Sequence, residues 1–164
     1  MKNKTWKQTP LHIAAKSGKV KIVEMLIDYH INSWFFKNVK LDKEIKLNEQ
    51  DSEGMTPLMR CIVECSQKEQ CTEIVKLLVS NDCNVNIADE RGNTALFYAL
   101  QEMKDDIAVF LILYEADINW KNKEGLTPLS FANHKLKTST CIELSEIVQK
   151  SKEEEKLKKT SVIQ

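Results

Sequence analysis

The chain has 164 residues, of which 42% are hydrophobic and 29% are charged, and its formal net charge is zero. This composition fits one domain with a packed core and is typical of neither a disordered chain nor a membrane-embedded one. The longest apolar run, Ile107 to Tyr114, is much shorter than the ~20 residues that span a bilayer. No secretory signal follows the polar N-terminus, so we expect no membrane association and an intracellular location, cytoplasmic and/or nuclear.

The charge is spread unevenly. Residues 1–46 hold 10 basic and 4 acidic side chains, residues 47–127 hold 7 and 15, and residues 128–164 hold 7 and 5. A general nucleic-acid binder needs a continuous basic face, so the acidic middle argues against that role. It favours a protein partner that carries a complementary basic patch.

Four segments of the chain begin alike. In chain order they are Thr9-Pro10-Leu11-His12, Thr56-Pro57-Leu58-Met59, Thr94-Ala95-Leu96-Phe97 and Thr127-Pro128-Leu129-Ser130. A threonine followed by proline predicts a capped helix start. Apolar pairs at spacings of three and four residues follow each of the first three, for example Ile74-Val75 and Leu77-Leu78. These pairs predict a second helix in each segment.

Short turn signals precede the last three of these threonines. They are Asp51-Ser52-Glu53-Gly54, Asp89-Glu90-Arg91-Gly92 and Asn122-Lys123-Glu124-Gly125. Asp and Asn bond their own backbone in such turns, and glycine accepts a positive φ. Three of the four glycines lie in these turns, and all three prolines follow a repeat threonine. The glycines and prolines therefore recur at the positions where a repeat would place them.

The first segment and the 33-residue interval between Thr94 and Thr127 resemble the ankyrin-repeat family, with its T-P-L-H-x-A signature. The resemblance implies an all-α solenoid of helix-turn-helix units with protruding β-turn or hairpin tips. We expect an ankyrin-repeat domain over residues 1–150, with repeats at about 5–46, 47–84, 85–117 and 118–150. Residues 151–164 are expected to form a charged, disordered tail.

Two intervals exceed the 33-residue period, at 47 and 38 residues. The first carries a surplus that we place at residues 33–46, where Trp34, Phe35 and Phe36 follow one another. These aromatic side chains either fold back on the first repeat or anchor a partner, as aromatic residues often do at interfaces. We place the second surplus, of five residues, in a longer turn between the helices of the second repeat, near Cys65 to Cys71.

No pattern for catalysis is found, since a G-x-S-x-G elbow, a Walker A loop, a G-x-G-x-x-G loop and an H-E-x-x-H helix are all missing. Cys61, Cys65 and Cys71 group locally, but without a C-x-x-C pair or a nearby histidine they do not match common zinc spacings. We expect reduced thiols, no cofactor, no metal and no enzymatic activity.

The family resemblance implies protein binding through the turn tips and the concave face, and we expect a monomeric scaffold or inhibitor. Two versions stay open: a substrate-recruiting adaptor of a larger enzyme complex, and an IκB-like inhibitor of a transcription factor. The candidate partner-binding residues are Ser52, Glu53, Met55, Glu90, Arg91, Asn93, Lys123, Glu124, Leu126, Trp34, Phe35 and Phe36. Leu111 with Asp117-Ile118-Asn119 also resembles the pattern that asparagine hydroxylases modify in ankyrin repeats. Asn119 is therefore a candidate for hydroxylation. The alternative is that the Asn119 side chain only satisfies backbone groups of the turn.

Overall fold

A computed structural model describes residues 7–33, 46–128 and 130–131. Within these ranges the chain forms three pairs of helices. They are α1 (Pro10–Lys16), α2 (Val20–Ser33), α3 (Pro57–Glu64), α4 (Lys68–Ser80), α5 (Ala95–Gln101) and α6 (Asp105–Leu113). Pro128, Ser130 and Phe131 are also helical, at the expected start of the fourth repeat.

The helices pack in two layers. In one layer α1 lies against α3 and α3 against α5, while the second helix of each pair packs on its own first helix and α2 contacts α4. Each pair thus buries apolar surface against its neighbours, as in a solenoid. No β-strand occurs in the described ranges. The predicted all-α class is confirmed.

The repeat threonines begin the helices as predicted, although not identically. The hydroxyls of Thr9 and Thr56 accept hydrogen bonds from the first turns of α1 and α3, and Thr127 accepts one from the Ser130 amide at 3.1 Å. Thr94, which alanine follows instead of proline, makes no side-chain capping bond. An N-cap bond of this kind contributes about 1 kcal/mol, so α5 depends more on its burial than the other first helices do.

The core is built from the apolar positions that define the repeat. The leucines of the threonine segments, Leu11, Leu58 and Leu96, are each at most 2% exposed, and the second helices contribute Val23 and Ile74, which are fully buried. Truncation of such a side chain to alanine typically costs about 2–5 kcal/mol. The repeat pattern is therefore also the pattern of burial.

The second surplus does not lie in a turn, and that prediction was wrong. The link between α3 and α4 has three residues, as have the links in the first and third pairs. Instead, α3 has 8 residues against 7 in α5, and α4 has 13 against 9 in α6. One of the five extra residues thus lengthens α3, and the other four add one turn to α4 at its N-terminal end, because both second helices end 14 residues before the next repeat threonine. Helical periodicity continues without a break through Cys71 to Ile74 and Val75, which are all buried, so extending the helix buries more than lengthening the loop would.

Candidate functional site

The three turn tips share one local construction. Oδ1 of Asp51 accepts the backbone N–H groups of Glu53 and Met55, at 2.9 and 3.1 Å. Asp89 and Asn122 do the same for the residues two and four positions after them, at 2.8 to 3.0 Å. Each tip is therefore a closed turn whose shape is fixed by its own first residue.

Backbone hydrogen bonds join the tips in register. The Glu90 amide donates to the Glu53 carbonyl at 3.2 Å, and the Lys123 amide donates to the Arg91 carbonyl at 3.0 Å. The indole N–H of Trp120 adds a bond to the Gly92 carbonyl at 2.9 Å. We call the three joined tips, residues 51–54, 89–92 and 122–125, the tip row. The bonds between them make it one surface rather than three independent loops.

Glycine is required where two tips approach each other. A β-carbon on Gly54 would lie 2.7 Å from the Glu90 nitrogen, and one on Gly92 would lie 2.8 Å from the Lys123 nitrogen. Gly125 also has a positive φ, of 77°, but a β-carbon there would have nothing within 4 Å among the described atoms. The close approach at Gly54 and Gly92 is the reason that the amide-to-carbonyl bonds of the tip row can form.

The bases of the first two tips carry a second buried contact. Asp51 Oδ2 accepts a hydrogen bond from Arg60 Nε at 2.7 Å, and Arg60 also pairs with Glu53 and Glu64, at 3.1 and 2.8 Å. Burial alone would raise the pKa of Asp51, but the bonds from Arg60 and from two backbone amides outweigh it and lower the pKa. These contacts attach the first tip firmly to α3.

Asp89 holds the second tip in the same way through a different partner. Its Oδ2 accepts a hydrogen bond from the Tyr98 hydroxyl, and burial together with this bond raises the pKa of Tyr98 to about 12. Tyr98 and Arg60 both lie four residues after their repeat threonine. The third tip has the neutral Asn122, and the corresponding position holds the apolar Phe131. A carboxylate at the base of a tip thus goes with a hydrogen-bond donor on the following helix.

His12 links the first repeat to the second. Its Nδ1 accepts the Thr9 backbone N–H at 3.1 Å, which leaves Nε2 to donate to the Met55 carbonyl at 3.0 Å. The ring is completely buried, and burial lowers its pKa. These bonds use both ring nitrogens of the neutral imidazole. His12 is therefore a structural residue between repeats.

The predicted contact residues differ in their exposure. Glu90, Arg91, Lys123 and Glu124 are exposed, and none of these four side chains makes a hydrogen bond or ion pair to the described part of the chain. Ser52, Glu53, Asn93 and Leu126 are half-buried, and the Asn93 side chain accepts a bond from Asn122 at 3.0 Å.

The five remaining predicted site residues have other outcomes. Met55 is only 4% exposed and belongs to the core, so the expectation that its side chain contacts a partner is corrected. Met55 is buried because its backbone carbonyl is bonded to His12 of the first repeat and α1 packs against the α3 that follows it. Asn119 is exposed, and its backbone N–H donates to Asp117 Oδ1 at 2.8 Å. Trp34, Phe35 and Phe36 lie outside the described residues.

Sequence reasoning grouped Cys61, Cys65 and Cys71 locally but did not expect them to form a metal-type arrangement. The Sγ atoms of Cys61, Cys65 and Cys71 lie within 4.8 Å of one another, and all three residues are buried. The Nζ of Lys104, from the third pair of helices, donates to the carbonyls of Ile62 and Cys65, at 2.6 and 3.0 Å, and lies 3.5 Å from Cys71 Sγ. In the described ranges this is the one group of ligand-type side chains arranged to hold a metal ion.

The thiols of this group differ from an ordinary buried cysteine. Hydrogen bonding from Cys61 lowers the pKa of Cys65 to about 6 and also lowers that of Cys71, where Lys104 contributes. The same bonds raise the pKa of Cys61. By contrast, burial raises the pKa of the isolated Cys83 to about 12. The three grouped thiols thus polarise one another.

Comparisons with known proteins agree with this construction. A family model described as ankyrin repeats (3 copies) matches residues 1–89 and 62–151. Similar proteins include a probable serine/threonine-protein kinase of Dictyostelium discoideum, 32% identical over 74% of this chain and 13% of its own length. Human inversin is 28% identical over 76% of this chain and 14% of its own length, and a putative ankyrin repeat protein of Rickettsia felis is 23% identical over 79% and 37%.

The chain therefore spans between 13% and 37% of the length of these relatives. None of the helices in the described ranges combines the length and the apolar composition that a membrane span requires. Ankyrin repeats are protein–protein interaction modules, and the family model covers most of the sequence. The chain belongs to the ankyrin-repeat family.

Proposed function

We propose that this chain binds a partner protein through the tip row and the adjoining concave face formed by the first helices. The observation that carries the proposal is the joining of three tips by backbone hydrogen bonds, which presents Glu90, Arg91, Lys123 and Glu124 together on one side. A pre-formed surface loses little conformational freedom on binding, so its contacts contribute more fully to affinity. The module acts without catalysis of its own, as a scaffold or inhibitor.

The charge of the chain supports a partner with a basic surface. Residues 47–127, which include all three tips, hold 15 acidic and 7 basic side chains. Complementary charge accelerates association and suppresses binding to wrong partners. Binding is therefore expected to weaken as the salt concentration rises. We further propose an intracellular location, which the free thiol state of the four described cysteines supports.

A pair of charge-matched variants tests the surface. Glu90→Ala/Arg91→Ala removes one acidic and one basic side chain from the tip row, and Glu73→Ala/Lys76→Ala removes the same charges from the exposed side of α4. Affinity purification with quantitative mass spectrometry first identifies proteins that the wild-type chain retains. Titration calorimetry with each purified partner then measures the dissociation constant of all three forms.

We expect the tip variant to weaken binding at least ~10-fold, which corresponds to about 1.4 kcal/mol. The α4 variant should bind as the wild type does. Equal affinity of the tip variant and the wild type, with loss only in the α4 variant, would place the interface on the second helices and contradict the proposal. Unfolding curves of both variants serve as the control for folding.

A further inference from the structure

Three sulfur atoms come together from two helices inside the second repeat. Cys61 and Cys65 lie one turn apart on and just after α3, and Cys71 lies in the extra first turn of α4. The Cys61 and Cys71 Sγ atoms are 3.9 Å apart, and no pair in the group is separated by more than 4.8 Å. The departure from the 33-residue period is thus what supplies the third sulfur.

These distances fit a metal ion bound by three sulfurs. With metal–sulfur bonds of about 2.3 Å, three sulfurs in a trigonal plane are about 4.0 Å apart. The observed separations reach this arrangement with side-chain shifts of less than an ångström. Among the described residues no fourth Cys, His, Asp or Glu atom joins the group. Zinc normally takes four ligands, whereas the soft ion Cu(I) is well matched to thiolates and stable with three.

The surroundings are suited to an anionic metal–thiolate unit. Three thiolates around one Cu(I) carry two net negative charges, and a buried charge of this kind needs a counter-charge. Lys104 Nζ lies 3.5 Å from Cys71 Sγ and is held there by the carbonyls of Ile62 and Cys65. Cys71 also lies in the first turn of α4, where the helix dipole favours a thiolate. The positive charge is therefore in place beside the sulfurs.

The site is shielded, and a small cavity lies beside it. Cys61, Cys65 and Cys71 are at most 3% exposed, which protects bound Cu(I) from water and oxidants. A cavity of about 20 Å³ lies against Cys71 and Lys104, between the first turn of α4 and the start of α6. Lys68 and Asp106, which pair at 2.9 Å, both line this cavity.

We propose that Cys61, Cys65 and Cys71 form a three-coordinate site for Cu(I). On binding, each sulfur forms one S–Cu bond as a thiolate, and any proton that a thiol still carries passes to the solvent. The metal arrives and remains as Cu(I), so that no electron is transferred. The site is separate from the tip row, and its proposal does not depend on the identity of the protein partner.

The test uses the full chain, reduced and free of metal under anaerobic conditions. Cu(I) is titrated in competition with a chromophoric chelator, and X-ray absorption of the loaded wild-type protein counts the ligands. We expect one Cu(I) per chain with three Cu–S bonds of about 2.3 Å. Replacement of Cys65 or Cys71 by Ser should lower the affinity more than ~100-fold, because even changes in the second shell of a metal site cost 10- to 100-fold. Cys83→Ser, which alters a buried thiol outside the group, should leave the affinity unchanged.

Several results would overturn the assignment. These are no stoichiometric binding, equal affinity in the Cys65→Ser and wild-type proteins, or a loss in Cys83→Ser as large as in the group variants. A four-ligand Zn(II) complex that excludes Cu(I) would also refute it. If the group variants do not fold, the absorption spectrum of the wild-type protein decides, since fewer than three sulfur ligands contradicts the proposal.

Discussion

The contact between Asp51 and Arg60 offers a quantitative test of how the first tip is held. Asp51→Asn keeps Oδ1, and with it the bonds from the Glu53 and Met55 amides. It replaces the oxygen that accepts Arg60 Nε at 2.7 Å with an N–H group that faces another donor. Arg60→Met removes the guanidinium and keeps most of the side-chain volume. The double variant has neither charge.

The expected costs follow from the burial of the pair. The Asp51 side chain is fully buried and that of Arg60 is 7% exposed, and removal of one partner of a buried pair costs about 3–5 kcal/mol. Arg60 still contacts Glu53 and Glu64, so we expect Asp51→Asn to cost about 3 kcal/mol, at the lower end of that range. Arg60→Met should cost about 2 kcal/mol, since backbone amides still bind the remaining carboxylate.

The double variant should cost only about 1 kcal/mol, because it leaves no unpaired buried charge. The third tip already shows this arrangement, with Asn122 at the base and Phe131 at the position of Arg60. Urea unfolding followed by circular dichroism at 222 nm measures all four proteins. The coupling energy should then be about 4 kcal/mol, whereas costs that simply add would refute the assignment of the pair as the anchor of the tip.

Three further predictions concern single contacts. Gly54→Ala should destabilise the chain by about 2 kcal/mol more than Gly125→Ala, because both glycines have a positive φ but only a β-carbon at Gly54 meets backbone atoms. Thermal unfolding measures the difference, and equal destabilisation by the two variants would contradict the close approach. The lowered pKa of His12 means that the unfolded chain takes up a proton first as the pH falls below about 6.5, so stability should decrease there, at no more than about 1.4 kcal/mol per pH unit. His12→Gln should reduce the difference in unfolding free energy between pH 7.5 and 5.5, measured by urea titration. An unchanged difference would show that groups other than His12 cause the pH dependence. Lys104→Met should lower the unfolding free energy by about 1–2 kcal/mol, because the carbonyls at the end of α3 lose their hydrogen-bond donor. An unchanged unfolding free energy in a urea titration would contradict a stabilising role for this contact.

The parts of the fold that depend on neighbouring residues could be predicted from the sequence. Thr56 followed by proline predicts a helix start, and Asp51 with Gly54 predicts a closed turn, because the contacts involved lie within a few residues. The burial of Leu58 and Ile74 follows from spacing alone. These local signals were sufficient for the architecture and for the position of the tip row.

Contacts between repeats could not be predicted in this way. Met55 was expected at the surface, yet it is buried against the first repeat, and its carbonyl accepts a bond from His12. The five surplus residues could fit a loop or a helix equally well by count, and only packing selects the extra turn of α4. The meeting of Cys71 with Cys61 and Lys104 follows from that choice, so no spacing rule for metal ligands would have found it.

Hydrogen–deuterium exchange of the chain, alone and bound to its partner, tests the central claim most directly. Our account predicts slower exchange on binding in residues 51–54, 89–92 and 122–125, where the tips lie, and unchanged exchange in α4, at residues 68–80. Protection confined to residues 68–80, with the three tips unaffected, would show that the partner binds the opposite layer and would contradict the proposed interface.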